Sequence, residues 1–108
     1  MTEYIQIYTT TENKDDAGMI AAEVVKKRLA ACAQVVGPIT STYWWEGKIE
    51  EAEEWFCIMK SRRDLYERLE KAIQGIHPYD VPEIVAVPIV SGSQSYLQWL
   101  DKALINDQ

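Results

Sequence analysis

The sequence predicts an α+β domain in which a four-stranded antiparallel sheet carries two helices on one face, in the order β-α-β-β-α-β, with an extended β-hairpin and a C-terminal helix. Three observations predict it. Residues 39–63 set an aromatic and β-branched arm, Thr40 to Trp45, against a second apolar arm across Glu46-Gly47-Lys48, where Gly47 supplies the positive φ of a tight reversal. Residues 4–10 alternate strictly, with Ile5 and Ile7 opposed to Tyr4, Gln6 and Tyr8, as a half-buried strand does. Two stretches carry the apolar stripe of a helix: Ala17, Ile20, Ala21, Val24 and Val25, then Leu65, Leu69, Ala72, Ile73 and Ile76.

Taken in order, Thr11, Glu12 and Asn13 leave the first strand, and Asp15 and Asp16 suit the positive end of a first helix that runs to about Arg28. Leu29 to Val36 is small and apolar around Cys32 and stops at Gly37-Pro38. It reads as a second strand that begins near Ala31 and bends at Gly37-Pro38 into the first hairpin arm. The second arm has two signals. Ile49, Ala52, Trp55, Phe56 and Met59 fall on helical spacing, yet Trp55 to Met59 is an unbroken apolar run of strand length, and the aromatic first arm needs a partner. We read a strand.

Ser61, with Asp64 three positions later, reads as the cap of the second helix, which Gly75 and Pro78 end. Pro78 also keeps His77 out of the α region, so His77 to Glu83 is expected as an ordered loop. Ile84 to Val90 follows as the last strand, and Gly92-Ser93 opens a third helix with Tyr96, Leu97, Trp99, Leu100, Ala103 and Leu104. This is the ferredoxin-like order. Two helices cover one sheet face, but the last strand is apolar on both, with Ile84, Ala86, Pro88 and Val90 on one side and Val85, Val87 and Ile89 on the other. A second subunit is expected on the uncovered face.

The 108 residues suffice for a single domain spanning 1–108, and the net charge of −6 disfavours nucleic acid and anionic lipid while favouring cations. Met1-Thr2-Glu3 begins without a basic or apolar leader, and no apolar run reaches the length of a membrane span. A cytoplasmic protein is expected, with no nucleic-acid or membrane partner. Cys32 and Cys57 lack a Cys-x-x-Cys spacing and are expected to be reduced.

Five stretches together resemble the CutA divalent-cation tolerance family: Ala30-Ala31-Cys32-Ala33, Ser41-Thr42-Tyr43-Trp44-Trp45-Glu46-Gly47-Lys48, Lys60-Ser61-Arg62, His77-Pro78-Tyr79-Asp80-Val81-Pro82-Glu83 and Tyr96-Leu97-Gln98-Trp99. The resemblance covers essentially the whole chain. It implies a ferredoxin-like subunit in a tight trimer, with sheets inward, helices outward and the long hairpin reaching a neighbour. It implies tolerance of copper and other divalent metals and no family-wide reaction. Some members are described with copper on a cysteine near the end of the first strand and on two consecutive histidines before Pro-Tyr. This chain has Thr9 and Thr10 at the first place and Ile76 before a single His77 at the second.

Copper or another divalent ion is thus a possible but not obligatory cofactor, with His77, Glu46 and Glu83 as candidate ligands, and Cys32 or Cys57 added for a reduced metal. The competing role for His77 is to tie down its loop. Tyr43, Trp44, Lys60 and Tyr79 are candidate walls of a ligand cleft, and Trp44, Trp45 and Trp55 are expected at a homotrimer interface. Glu46, Glu50, Glu51, Glu53 and Glu54 could attract divalent ions electrostatically, but such a run reads as a solvated rim. An alternative is a small enzyme built on Lys60, Tyr79 and Glu83, which lie toward one sheet edge in this topology. Phosphoryl hydrolysis is disfavoured because Thr9 to Lys14 offers no arginine and no glycine-rich cradle. An RNA-binding sheet is disfavoured by the acidic third strand.

Overall fold

The computed structural model describes residues 3–106. Strand β1 (Tyr4–Thr11) leads to helix α1 (Lys14–Lys26), then to the long strands β2 (Cys32–Trp45) and β3 (Lys48–Arg62). A 3-10 turn, Arg63–Leu65, enters α2 (Tyr66–Ile76), followed by β4 (Val85–Pro88) and α3 (Gln94–Ala103). The strands lie in the order β2-β3-β1-β4 with antiparallel neighbours. This is the predicted α+β, ferredoxin-like arrangement.

Alternation along β1 and β3 decides what the sheet buries. Ile5, Ile7 and Thr9 pair with Ser61, Met59 and Cys57, and all six side chains are buried. Ile5, Ile7, Cys57 and Met59 form one core with Ala17, Ile20 and Val24 of α1 and Leu69 and Ile73 of α2. Asn13 caps α1, its Oδ1 accepting from the Asp16 N–H at 2.8 Å. The helix ends where Arg28 takes φ 59°, with the Leu29 N–H returning to the Val24 carbonyl and the Arg28 N–H to Val25, a Schellman closure built without glycine.

Ser61 differs from expectation. It is still in β3, and its hydroxyl donates to the Leu29 carbonyl at 2.6 Å inside the protein, so α2 starts with no side-chain cap. The strand continues to Arg62 because β1 pairs with it along its whole length, Tyr4 opposite Arg62; a partnered strand end outweighs a local capping pattern. The last strand is shorter than Ile84 to Val90: ladder pairing covers Val85 to Pro88, opposite Tyr8 to Ile5, and beyond it only the Ile89 N–H reaches back to β1, to the Tyr4 carbonyl at 3.0 Å.

The hairpin carries the geometry that matters for function. Glu46 and Gly47, at φ 50° and 80°, make a two-residue reversal of the twist-matched type I′ kind. Farther in, Val36 opposes Phe56 but Ile39 opposes Glu54, so β2 carries one extra residue at the cis Gly37–Pro38 peptide. Such a bulge reverses which β2 side chains share a face with β3. Cys32, Gln34 and Val36 share the uncovered face before it, and Ser41, Tyr43 and Trp45 share that face after it. Gly37 is where Trp55 packs: a Cβ there would lie 2.6 Å from the ring's Cε3.

The uncovered face carries Tyr8, Phe56, Ile58, Val36, Val85 and Val87, of which Val36, Val85 and Val87 are 47%, 45% and 41% exposed.

Two glycine substitutions test this packing in opposite directions. Gly37→Ala should destabilise by about 1–3 kcal/mol, because the rigid indole must shift. Gly18→Ala, inside α1 with nothing within 4 Å, should stabilise by about 0.5–1 kcal/mol. Urea unfolding measures both, and an unchanged Gly37→Ala protein would show that Trp55 does not depend on the bare backbone.

Candidate functional site

The loop after α2 lies over the end of β1 and beside the hairpin, held by two contacts. His77 is the first. The Tyr79 backbone N–H donates to His77 Nδ1 at 3.0 Å, which places the proton on Nε2, and Nε2 donates to the Thr10 carbonyl at 2.8 Å. Both ring nitrogens are committed. Burial holds the pKa of His77 below its ordinary 6.5, against the opposing pull of the Thr10 carbonyl and the carboxylates of Asp16 and Glu54.

Glu54 is the second. It stands on the uncovered face of β3, only 9% exposed, and the Tyr79 hydroxyl donates to its Oε2 at 2.8 Å. Burial, then the bond to Glu54, raises the Tyr79 pKa well above its usual 10, so the phenol is a fixed donor. Its ring lies 4.8 Å from the His77 ring. One loop is thereby tied to β1 and β3 at once.

Between this loop and the hairpin opens a cavity of about 660 Å³. Glu54 and Thr10 sit on its inner side, both buried, while Asp80 and Glu83 line it from the exposed loop. Tyr43, Trp44, Trp45 and Tyr79 supply aromatic walls. No lysine, arginine or histidine lines it among the described residues. The site therefore combines negative charge with π faces.

The residues expected from sequence distribute as follows. Tyr43, Trp44, Tyr79 and Glu83 come together in this cavity. Lys60 does not: its Nζ donates to Gln34 Oε1 at 2.9 Å, six residues from Glu54 and about 20 Å away along the strand at roughly 3.3 Å per residue. The Lys60, Tyr79 and Glu83 cluster is not formed within the chain. Glu46 occupies the hairpin turn rather than the cavity wall, and His77 offers no free nitrogen. Among the described residues no three His, Cys, Asp or Glu side chains are arranged to hold a metal ion, so His77, Glu46 and Glu83 do not make a metal centre inside one chain.

Trp44 and Trp45 are 73% and 51% exposed, whereas Trp55 packs on its own core and lies beneath the Lys14 ammonium, 5.8 Å from the ring centroid. Of the thiols, Cys57 is sealed in the core, and burial pushes it up to about 12. Cys32 Sγ lies 3.7 Å from the Tyr96 hydroxyl, which burial and that contact push up to about 12.

Sequence reasoning passed over Glu54, Asp80 and Thr10. For Glu54 a signal existed: counting back by twos from Ile58 and Phe56 puts it on their face, apart from its neighbours Glu51 and Glu53.

A family model described as CutA1 divalent ion tolerance protein matches residues 5–103. The chain belongs to that family. A divalent-cation tolerance protein CutA from Pyrococcus horikoshii is 42% identical over 96 residues, covering 89% of this chain and 93% of that one. A chloroplastic CutA 1 protein from Oryza sativa is 41% identical over 96 residues, 89% of this chain and 54% of its own length. The chain thus spans about half the length of such plant relatives. The crystal structure of CutA1 from Oryza sativa superposes with a TM-score of 0.94 at 37% identity, over 98% of this chain and 97% of that one. The family is named for divalent-cation tolerance and not for a catalysed reaction.

The neutral state of His77 is directly testable, because it is the only histidine and gives one imidazole set in a proton NMR titration. Its midpoint should lie below 6.5. By linkage, a lowered folded pKa means that the stability His77 contributes is full above about 6.5, its unfolded value, and is lost as pH falls through the folded one. A midpoint above 6.5 would contradict the two-nitrogen clasp.

Proposed function

We propose that the chain is a cytoplasmic, trimeric divalent-cation response protein that takes up its ligand in clefts between subunits and carries out no turnover. The observation that carries this is the uncovered sheet face: Val36, Val85 and Val87 stand exposed beside Tyr8, Phe56 and Ile58, a contiguous apolar surface of the kind that subunits bury. The exposed Trp45 extends that surface to the hairpin end. A neighbour on this face borders the acidic cavity, since Tyr43, Trp45 and Glu54 belong to the same face. The two free cysteines suit a reducing compartment.

Binding without chemistry is supported by the state of the polar groups. His77 has both nitrogens occupied, Tyr79 donates to Glu54 and Lys60 is remote, which leaves no acid–base pair poised over the cavity. For a metal ion, donors from a second copy would have to complete the set. Carboxylates such as Glu54, Asp80 and Glu83 favour hard cations, whereas copper would call on imidazole or thiolate, and here the imidazole is committed and Cys57 is buried.

Sedimentation equilibrium at micromolar concentration should give 37.2 kDa, three times the 12.4 kDa chain, with an interface of roughly 2,000 Å² or more. A 12.4 kDa species would overturn the assembly. Replacing Val85 and Val87 together by Ser should shift the population toward monomer.

A further inference from the structure

We infer that the cavity between the hairpin and the His77 to Glu83 loop takes an organic diammonium, an alkyl chain with a protonated amine at each end. The inference rests on this cavity being a ligand cleft, and it names the chemical class of the ligand.

Three features of the cavity select that class. The first is its charge: Glu54, Asp80 and Glu83 line it without a cationic side chain among the described residues. The second is that these carboxylates do not converge. A bare divalent ion needs several donors, at roughly 2.0–2.6 Å for magnesium or calcium, and no three candidate ligands are so arranged among the described residues. Instead Glu54 lies buried on the inner side while Asp80 and Glu83 are exposed. Two positive charges separated by a flexible spacer match negative charge held at two depths.

The third feature is the wall. Tyr43, Trp45 and Tyr79 present aromatic rings along the cavity; methylene groups pack on such rings, and ammonium groups are attracted to their faces within about 6 Å. A hydrated inorganic ion gains little from that lining. Glu54 is the anchor. Tyr79 occupies Oε2 and orients the carboxylate, which leaves Oε1 to accept from the inner ammonium. The volume of about 660 Å³ falls within the range of small-molecule sites, and a four-carbon diamine fits it with water to spare.

Calorimetric titration with 1,4-diaminobutane tests the assignment. Saturable binding is expected, about tenfold or more weaker for butylamine, which lacks the second charge, and absent for butane-1,4-diol. Glu54→Gln keeps an acceptor for Tyr79 and should weaken binding about tenfold or more. Glu83→Gln, at an exposed position that carries little folding risk, should weaken it by about threefold. Glu51→Gln, the same loss of charge outside the cavity, should change it less than about twofold. Equal losses from Glu51→Gln and Glu54→Gln would assign the effect to the diffuse field of an acidic chain and overturn the proposal. So would saturable manganese binding that Glu54→Gln abolishes and the diamine fails to displace. Sedimentation of the same samples separates the two readings: a monomer that binds the diamine removes the assembly and keeps the ligand, and a trimer that does not bind it does the reverse.

Discussion

The structure beyond the four-stranded core depends on the one extra residue that β2 carries at Gly37–Pro38. Before it, even-numbered side chains of β2 share the uncovered face with Phe56, Ile58 and Lys60; after it, odd-numbered ones do. Without that step in phase, Thr42 and Trp44, not Tyr43 and Trp45, would share the face of Glu54. The step is held by shape. The Trp55 indole lies so close to Gly37 that a methyl group would collide with it, and the Lys14 ammonium of α1 lies over the ring. A contact on the core side of the sheet thus determines which aromatics stand on the opposite side. Any change that lets the ring move acts on both faces together.

The second constraint is the clasp of the loop. His77 joins the Thr10 carbonyl to the Tyr79 backbone, and Tyr79 reaches Glu54, so the end of β1, the loop and β3 are linked by side chains whose protonation states agree. Neutral His77 has one donor and one acceptor, which is what the two backbone groups require. A protonated ring would present two donors and lose the Tyr79 N–H. Desolvation depresses the basicity of His77 against the pull of its partners, whereas desolvation and the bond to Glu54 act together to raise the pKa of Tyr79. The same groups that shape the cavity are thereby withdrawn from acid–base work.

Much of this was legible in the residues. Alternation in Tyr4 to Thr10 and the stripes in α1 and α2 predicted those elements, and the Gly47 reversal located the hairpin, because each is a local pattern with a single physical meaning. Ser61 misled because capping chemistry and strand pairing competed for one residue, and β1, distant in sequence, decided. Lys60 misled for a related reason: the topology sets it and Glu83 toward one sheet edge, but Lys60 bonds Gln34, six residues from Glu54 along a 15-residue strand. Glu54 was hidden among Glu50, Glu51 and Glu53, three residues that are exposed as an acidic run should be. What buries it is the returning loop. No window on the sequence holds both.

Burial of one acid out of that run has a consequence for how charge is used. Glu50, Glu51 and Glu53 sit in water, where salt screens them within about 10 Å at 0.1 M, and they add to the field of a chain with net charge −6 that draws cations of any kind toward the hairpin. Glu54 acts at shorter range and in a less polarisable setting, where a single charge-assisted bond discriminates among cations by geometry. On the proposed function, attraction is spread over the hairpin and selection is confined to the cavity. Because Asp80 and Glu83 reach that cavity from a loop that His77 ties to β1, selection on that proposal would depend on the clasp, and loosening the loop would leave an acidic protein that still attracts cations but no longer distinguishes them.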